Sequence, residues 1–375
     1  MGTPKGDTVI LRIIAINLIV FAVLIIALEL IFGTWFSKTH ALHQFTKPRN
    51  IALERPNPLG GEPAVVRYTR DDNGFRGLSG DVSQIDILTV GGSTTDQRYL
   101  DDRATFQAQL VAMFANQDRE IKIANAGIDG QSTFGHIANF DSWFSRIVGL
   151  RARYVLFYVG INDALILSEK PEFDAIESTG KLRRIQLFVR EKSAFYQMYL
   201  ILKQVLRPQQ TNHQLSQDNF AIEPPFATEG TLDPSAMQSP EIIRALDILG
   251  DNITTLAKLS RDMGAQPIFV TQRSTAWARI DGKVVGIPDV APGFLNRYTA
   301  RFGDINGVDI YMIERRIADQ ILGACNAAEA LCFDLMGDLD FDLAQDFYDE
   351  VHNTARGAGL VAAYLYDKLS ALDGF

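Results

Sequence analysis

Apolar residues are unevenly spread along this chain. From Ile13 to Phe36 they run almost unbroken, IIAINLIVFAVLIIALELIFGTWF, whereas everything after alternates short apolar runs with longer amphipathic stretches. About 20 such residues, rising ~1.5 Å each, cross a ~30 Å hydrocarbon layer as a helix. Trp35 and Phe36 close the run with rings that favour a membrane interface. A cleaved signal would have a shorter apolar core and end in small residues. Leu28-Glu29-Leu30-Ile31-Phe32 follows here instead, so the pattern predicts a short tail and an uncleaved transmembrane anchor over residues 1–36. Glu29 lies within the run near its aromatic end. It is expected either to be solvated among headgroups or to contact a partner's transmembrane helix. Lys5 and Arg12 flank one side and Lys38, Lys47 and Arg49 the other, so basic residues leave the orientation open.

Residues 37–80 read as a mixed, proline-containing juxtamembrane segment ending in RYTRDDNGFRG. Then come apolar runs rich in β-branched residues: 85–90, 121–124, 154–159, 267–271 and 331–334. Helix-length stretches such as 104–117 and 240–264 separate them. Strands alternating with helices predict βαβ units and a parallel sheet covered on both faces, forming one domain over residues 81–375. A long interruption at about 170–240 breaks the alternation. It opens with an amphipathic helix over 180–206 and continues as polar, proline-rich chain, which reads as a surface insertion serving as a lid or a partner contact.

Composition narrows the function. The 375 residues are 47% hydrophobic and 10% aromatic with a net charge of -9, so a large core is available and no basic cluster stands out. Nucleic acid, which is bound through Lys and Arg, is excluded as the expected partner. Cys325 and Cys332 allow either a disulfide in an exported domain or two reduced core thiols.

Three polar motifs follow the first three apolar runs: Gly91-Gly92-Ser93-Thr94, Asn125-Ala126-Gly127-Ile128-Asp129-Gly130, and Gly160-Ile161-Asn162-Asp163. Ligands of an open parallel sheet bind beyond the carboxyl ends of its strands, so all three are expected on one rim. A serine, flexible glycines and an asparagine amide gathered there suit acyl transfer, with the hydroxyl attacking and N–H donors receiving the oxyanion. The serine needs a base. Among the five histidines, His40 and His43 are juxtamembrane, His213 lies in the insertion and His136 is a pocket neighbour at most. His352 follows the last apolar run with Asp349 three residues before it, a spacing that lets a carboxylate hold one ring nitrogen while the other faces a hydroxyl.

GGST, NAGIDG, GIND and DEVH resemble, in order, the four blocks of the SGNH (GDSL-type) hydrolases. The resemblance covers roughly residues 70–166 and 250–370. It implies a three-layer α/β/α sandwich on a five-stranded parallel, flavodoxin-like sheet. It also implies Ser93 as nucleophile, His352 as base and Asp349 as the group orienting it. The oxyanion hole would be the N–H of Ser93, the N–H of Gly130 and the Asn162 amide; Gly130 fits better than Gly127 by its distance from Asn125. GGST lacks the Asp that precedes Ser in GDS. The membrane-anchored bacterial members commonly carry a segment like NGFRG (73–77), and often act on cell-envelope carbohydrate as acetyl esterases or acetyltransferases. The resemblance thus leads to an ester hydrolase in the inner membrane. It would pass the membrane once through residues 13–36, hold its catalytic domain in the periplasm and take small acyl esters, including acetylated polysaccharide.

Rival readings are weaker. The G-x-S-x-G elbow of the other common serine-hydrolase fold is missing. Asp338-x-Asp340-x-Asp342 opens like a calcium loop but has Leu343 where glycine is required. Neither a GxGxxG fingerprint nor zinc-ligand spacing occurs, so no metal or organic cofactor is implied. The same triad would serve a carbohydrate O-acetyltransferase. A non-enzymatic or dual-role subunit would instead use the anchor or the 180–240 insertion to bind a membrane protein.

Overall fold

A computed structural model of the chain describes residues 5–33, 35, 48–77, 80–164, 189, 192–196, 198–199, 224–288, 294, 298–299, 301–372 and 375. They belong to two compact units, one from 1–47 with 179–211, the other from 48–178 with 212–375.

In the first unit the apolar run is a helix, α1 (Lys5–Phe32). Its portion Arg12–Phe32 has a mean hydropathy of 2.9 with none of its apolar window buried, long and greasy enough to cross a membrane. Glu29, near the end of the helix, has partners from elsewhere in the chain. Its carboxylate accepts hydrogen bonds from Trp35 Nε1 and from Ser193 Oγ and the Ala194 N–H, all within this chain. The long-range partner carries no local signature, because it arrives from the insertion. Most of the helix expected over 180–206 lies outside the described residues.

In the second unit five strands form one parallel sheet: β3 (Ile85–Gly91), β4 (Ile123–Asn125), β5 (Ala152–Val159), β6 (Gln266–Thr271) and β9 (Leu331–Phe333), in spatial order β4-β3-β5-β6-β9. Each matches an apolar run to within two residues. Successive side chains leave a strand on opposite faces, and the core divides accordingly. Val155, Phe157 and Val159 of β5 join Phe269 on one side, while Tyr154, Leu156 and Tyr158 join Ile268 and Val270 on the other. The first face is covered by α4 (Thr133–Ser142), α5 (Pro240–Asp262) and α6 (Gly307–Ala327), the second by α3 (Phe106–Ala115) and α7 (Ala355–Ser370). This is the expected three-layer α/β/α sandwich. Four of these five helices start at side-chain caps, Thr105 before α3, Ser239 before α5, an Asn306–Asp309 capping box at α6 and Thr354 before α7.

Two hairpins escape the hydrophobic pattern. β1 (Ile51–Pro56) pairs with β2 (Val65–Arg70) in the stretch expected to be juxtamembrane. That stretch belongs to the second compact unit, because Arg70 bridges to Gly77 and Arg76 to Asn125 at the edge of the sheet. β1 is almost wholly solvent-facing, which removes the apolar signal that marks a buried strand. β7 (Trp277–Ile280) and β8 (Lys283–Gly286) form the second hairpin. Cys325, in the last turn of α6, is disulfide-bonded to Cys332 in β9, resolving the alternative left by the sequence.

Candidate active site

β3 ends at Gly91, and the chain turns at once into the four-residue helix α2 (Ser93–Asp96) with Ser93 at its first position. The first N–H groups of a helix have no partner within it, and that of Ser93 is one of these. A Cβ on Gly92 would fall 2.3 Å from Asn162 Nδ2, so only glycine lets the amide come this close to the serine turn.

Side chains at the strand ends lock the three loops together. After β4, Asn125 Nδ2 donates to the Thr95 carbonyl at 2.8 Å while its Oδ1 accepts the Gly127 N–H at 2.9 Å. After β5, the Ile161 N–H donates to Gln272 Oε1 at 3.0 Å, and Gln272 Nε2 donates to Thr94 Oγ1 at 2.6 Å. Asp163 accepts from the Thr133 N–H and hydroxyl at 3.0 and 2.7 Å, tying the third motif to the start of α4. Asn162 Nδ2 donates to the Gln131 carbonyl, one residue past Gly130, at 2.8 Å. An amide NH₂ has two hydrogens, so one orients the group and the second can serve a ligand.

The fourth motif closes the site. The N–H groups of Val351 and His352 donate to Asp349 Oδ1 at 3.0 and 2.8 Å, a turn made by the side chain itself. It folds the carboxylate onto His352 Nδ1, at 2.7 Å from Oδ2 and 2.9 Å from Oδ1. With the proton on Nδ1, His352 Nε2 accepts from the Ser93 hydroxyl at 2.7 Å. Burial disfavours charge on His352, but the hydrogen bond and charge of Asp349, with Asp129 and Glu350 behind, outweigh it and hold the imidazole pKa above its ordinary 6.5. Burial likewise pushes Asp349 up, and its bonds to His352 and to two backbone N–H groups win, keeping it below the usual carboxylate range. Such an arrangement can withdraw a proton from the hydroxyl and steady the resulting imidazolium.

Several residues at the site carried no sequence signal. The Tyr348 ring lies parallel to the His352 ring, centroids 5.6 Å apart, and Tyr99 meets Tyr348 edge-on at 5.9 Å. Tyr99 and Tyr348 also line a cavity of about 450 Å³ between the β1–β2 turn, residues 99–104 and residues 344–356. Beneath α2, buried Asp96 is paired with buried Arg70 at 2.7 Å, and Arg70 also donates to the carbonyls of Gly127 and Gly74. Arg76, of the NGFRG segment, donates to the carbonyls of Asp96 and Leu100. The early hairpin and the segment after it thus brace the turn that holds Ser93. Only NGFRG hinted at this.

His136 is buried within α4. His40, His43 and His213 are outside the described residues. The acidic run does not converge: Asp338 meets Tyr364 and Lys368, and Asp340 meets Arg279.

No protein-family model matches this chain, and no curated protein does. Solved structures match it at low identity. A member of the lipolytic protein G-D-S-L family from Veillonella parvula DSM 2008 is 13% identical, with 77% of this chain and 100% of that one aligned at a TM-score of 0.40. A catalytic mutant of Axe2, an acetylxylan esterase from Geobacillus stearothermophilus, is 11% identical over 76% of this chain and 94% of its own, TM-score 0.40. The acetyl xylan esterase AlAXEase is 11% identical over 76% and 100%, TM-score 0.41.

Proposed function

We propose that the protein is a membrane-anchored serine esterase of the SGNH type. Its substrates are small acyl esters, chiefly acetyl, carried by cell-envelope carbohydrate. One observation carries the reading: His352 Nε2 lies 2.7 Å from Ser93 Oγ while Asp349 holds the other ring nitrogen. Ser93 attacks the ester carbonyl as its proton passes to His352. The oxyanion is received by the N–H groups of Ser93 and Gly130 and by the Asn162 amide. His352 then protonates the leaving alcohol, leaving an acyl-serine. Water, deprotonated by His352, attacks that ester and releases the acid and the free serine.

Two features support placing the catalytic unit outside the cytoplasm. α1 has the length and hydropathy of a membrane span, and Cys325 and Cys332 are disulfide-bonded, a linkage that persists in oxidising compartments. The acetyl and carbohydrate assignments rest on the motif resemblance to the anchored SGNH members.

Steady-state hydrolysis of aryl acetates and acetylated oligosaccharides tests the assignment. Ser93→Ala should abolish turnover, and Asn162→Ala should lower kcat by about 10²–10³, the cost of one oxyanion donor. Turnover by Ser93→Ala at the parental rate would refute the reading.

A further inference from the structure

Glu29 is about 25 Å along α1 from Arg12 at ~1.5 Å per residue, which puts it near the far edge of a ~30 Å hydrocarbon layer. A carboxylate there is costly unless it finds donors. It finds four: Trp35 Nε1 at 3.0 Å, Ser193 Oγ at 2.6 Å, the Ala194 N–H at 2.9 Å and the Phe195 N–H at 3.4 Å. The two backbone donors come from the start of a helical segment at residues 194–196. Such N–H groups lack partners within their own helix, and water is scarce at this depth. Carboxylate and helix start therefore satisfy each other.

The backbones meet as closely as the side chains. A Cβ on Gly33 would fall 2.7 Å from the Lys192 carbonyl and 2.8 Å from Trp35 Cδ1, so the end of α1 accepts the incoming chain only because residue 33 is glycine. Ser193 is turned inward, its Oγ also accepting the Tyr196 N–H at 3.1 Å, and Ala194 is buried. Outward, Val189, Met198 and Tyr199 stand 43%, 54% and 54% exposed, so every exposed residue among those described here is apolar or aromatic.

We infer that Val189, residues 192–196, Met198 and Tyr199 form a second membrane contact, a foot lying in the interfacial layer of the bilayer, clasped to the end of the anchor by Glu29 and Gly33. The inference rests on reading α1 as a membrane span. A segment bonded to the last turns of a spanning helix lies at the depth of those turns. Val189, Met198 and Tyr199 then meet lipid, and Tyr199 supplies the aromatic ring that favours headgroup level. One hydrophobic helix leaves a protein free to swivel about it; a foot fixed to its end adds a second point of contact.

The full chain, reconstituted in phosphatidylethanolamine–phosphatidylglycerol vesicles, tests this with a single environment-sensitive fluorophore at Met198→Cys, Tyr199→Cys or, as reference, Ile19→Cys. The foot predicts that the labels at 198 and 199 are quenched by lipids brominated near the headgroup and shielded from aqueous iodide. Introducing Glu29→Ala should restore iodide quenching at both while leaving position 19 embedded. Iodide-accessible labels at 198 and 199 with position 19 embedded would overturn the foot and leave the anchor standing. Position 19 accessible as well would overturn both. Labels that stay shielded in Glu29→Ala would overturn the clasp.

Discussion

A carboxylate three residues before a histidine reaches the ring only if the chain turns back on itself, and Asp349 supplies that turn. Its Oδ1 takes the N–H groups of Val351 and His352, which leaves the carboxylate against Nδ1. The same contact sets the working pH. His352 must be neutral to take the serine proton. Its pKa is held above 6.5, because Asp349 outweighs the burial that would lower it. Raising that pKa carries protonation to higher pH, so kcat/KM should fall on acidification with a midpoint above 6.5. Asp349→Asn removes the main charge opposing burial and should move the midpoint to lower pH while depressing activity. A parental midpoint at or below 6.5, or one that Asp349→Asn leaves in place, would contradict this account. Ser93 and Asn162 were legible in the sequence because each lies in a short polar motif directly after an apolar run, and Asp349 and His352 because a carboxylate precedes the histidine by three residues. Tyr348 was not, because an aromatic residue beside a motif looks like core, and only its parallel stacking on His352 reveals its place.

At the scale of elements, the site depends on strand ends that cannot shift independently. The five sheet strands were readable because burial on both faces makes them continuously apolar. The β1–β2 hairpin was not, because its exposed strand is mixed in character. That hairpin nonetheless delivers Arg70 beneath the serine turn. Arg70 and Asp96 are 26 residues apart, a separation with no periodic signature, so the pair emerges only once the chain is folded. Removing one member of a buried pair leaves the other charged and uncompensated, a cost of about 3–5 kcal/mol. Arg70→Met should therefore destabilise the protein by that amount in thermal or urea unfolding and reduce turnover, because α2 loses its brace. Adding Asp96→Asn should recover part of the stability by removing the stranded charge. A double variant no more stable than Arg70→Met would show that packing rather than ion pairing carries the effect.

On the scale of the whole molecule, the chain joins a long apolar helix to a unit that carries Ser93, Asp349 and His352 and is built from residues on both sides of a long insertion. The apolar helix α1 was legible from length and hydropathy alone. The fate of Glu29 was not, because its partners at Ser193 and Ala194 return from more than 160 residues downstream. The Cys325–Cys332 disulfide ties the end of α6 to β9, the edge strand that precedes the His352 loop. The chemistry proposed for this unit stands or falls with Ser93 as nucleophile. It is tested most directly by treating the full-length protein, held in detergent or vesicles, with a fluorophosphonate and locating the adduct by peptide mass. A single adduct on Ser93 that disappears in His352→Ala is expected, because the hydroxyl reacts only when the imidazole takes its proton. An unmodified Ser93 in folded protein, or labelling undiminished in His352→Ala, would contradict it.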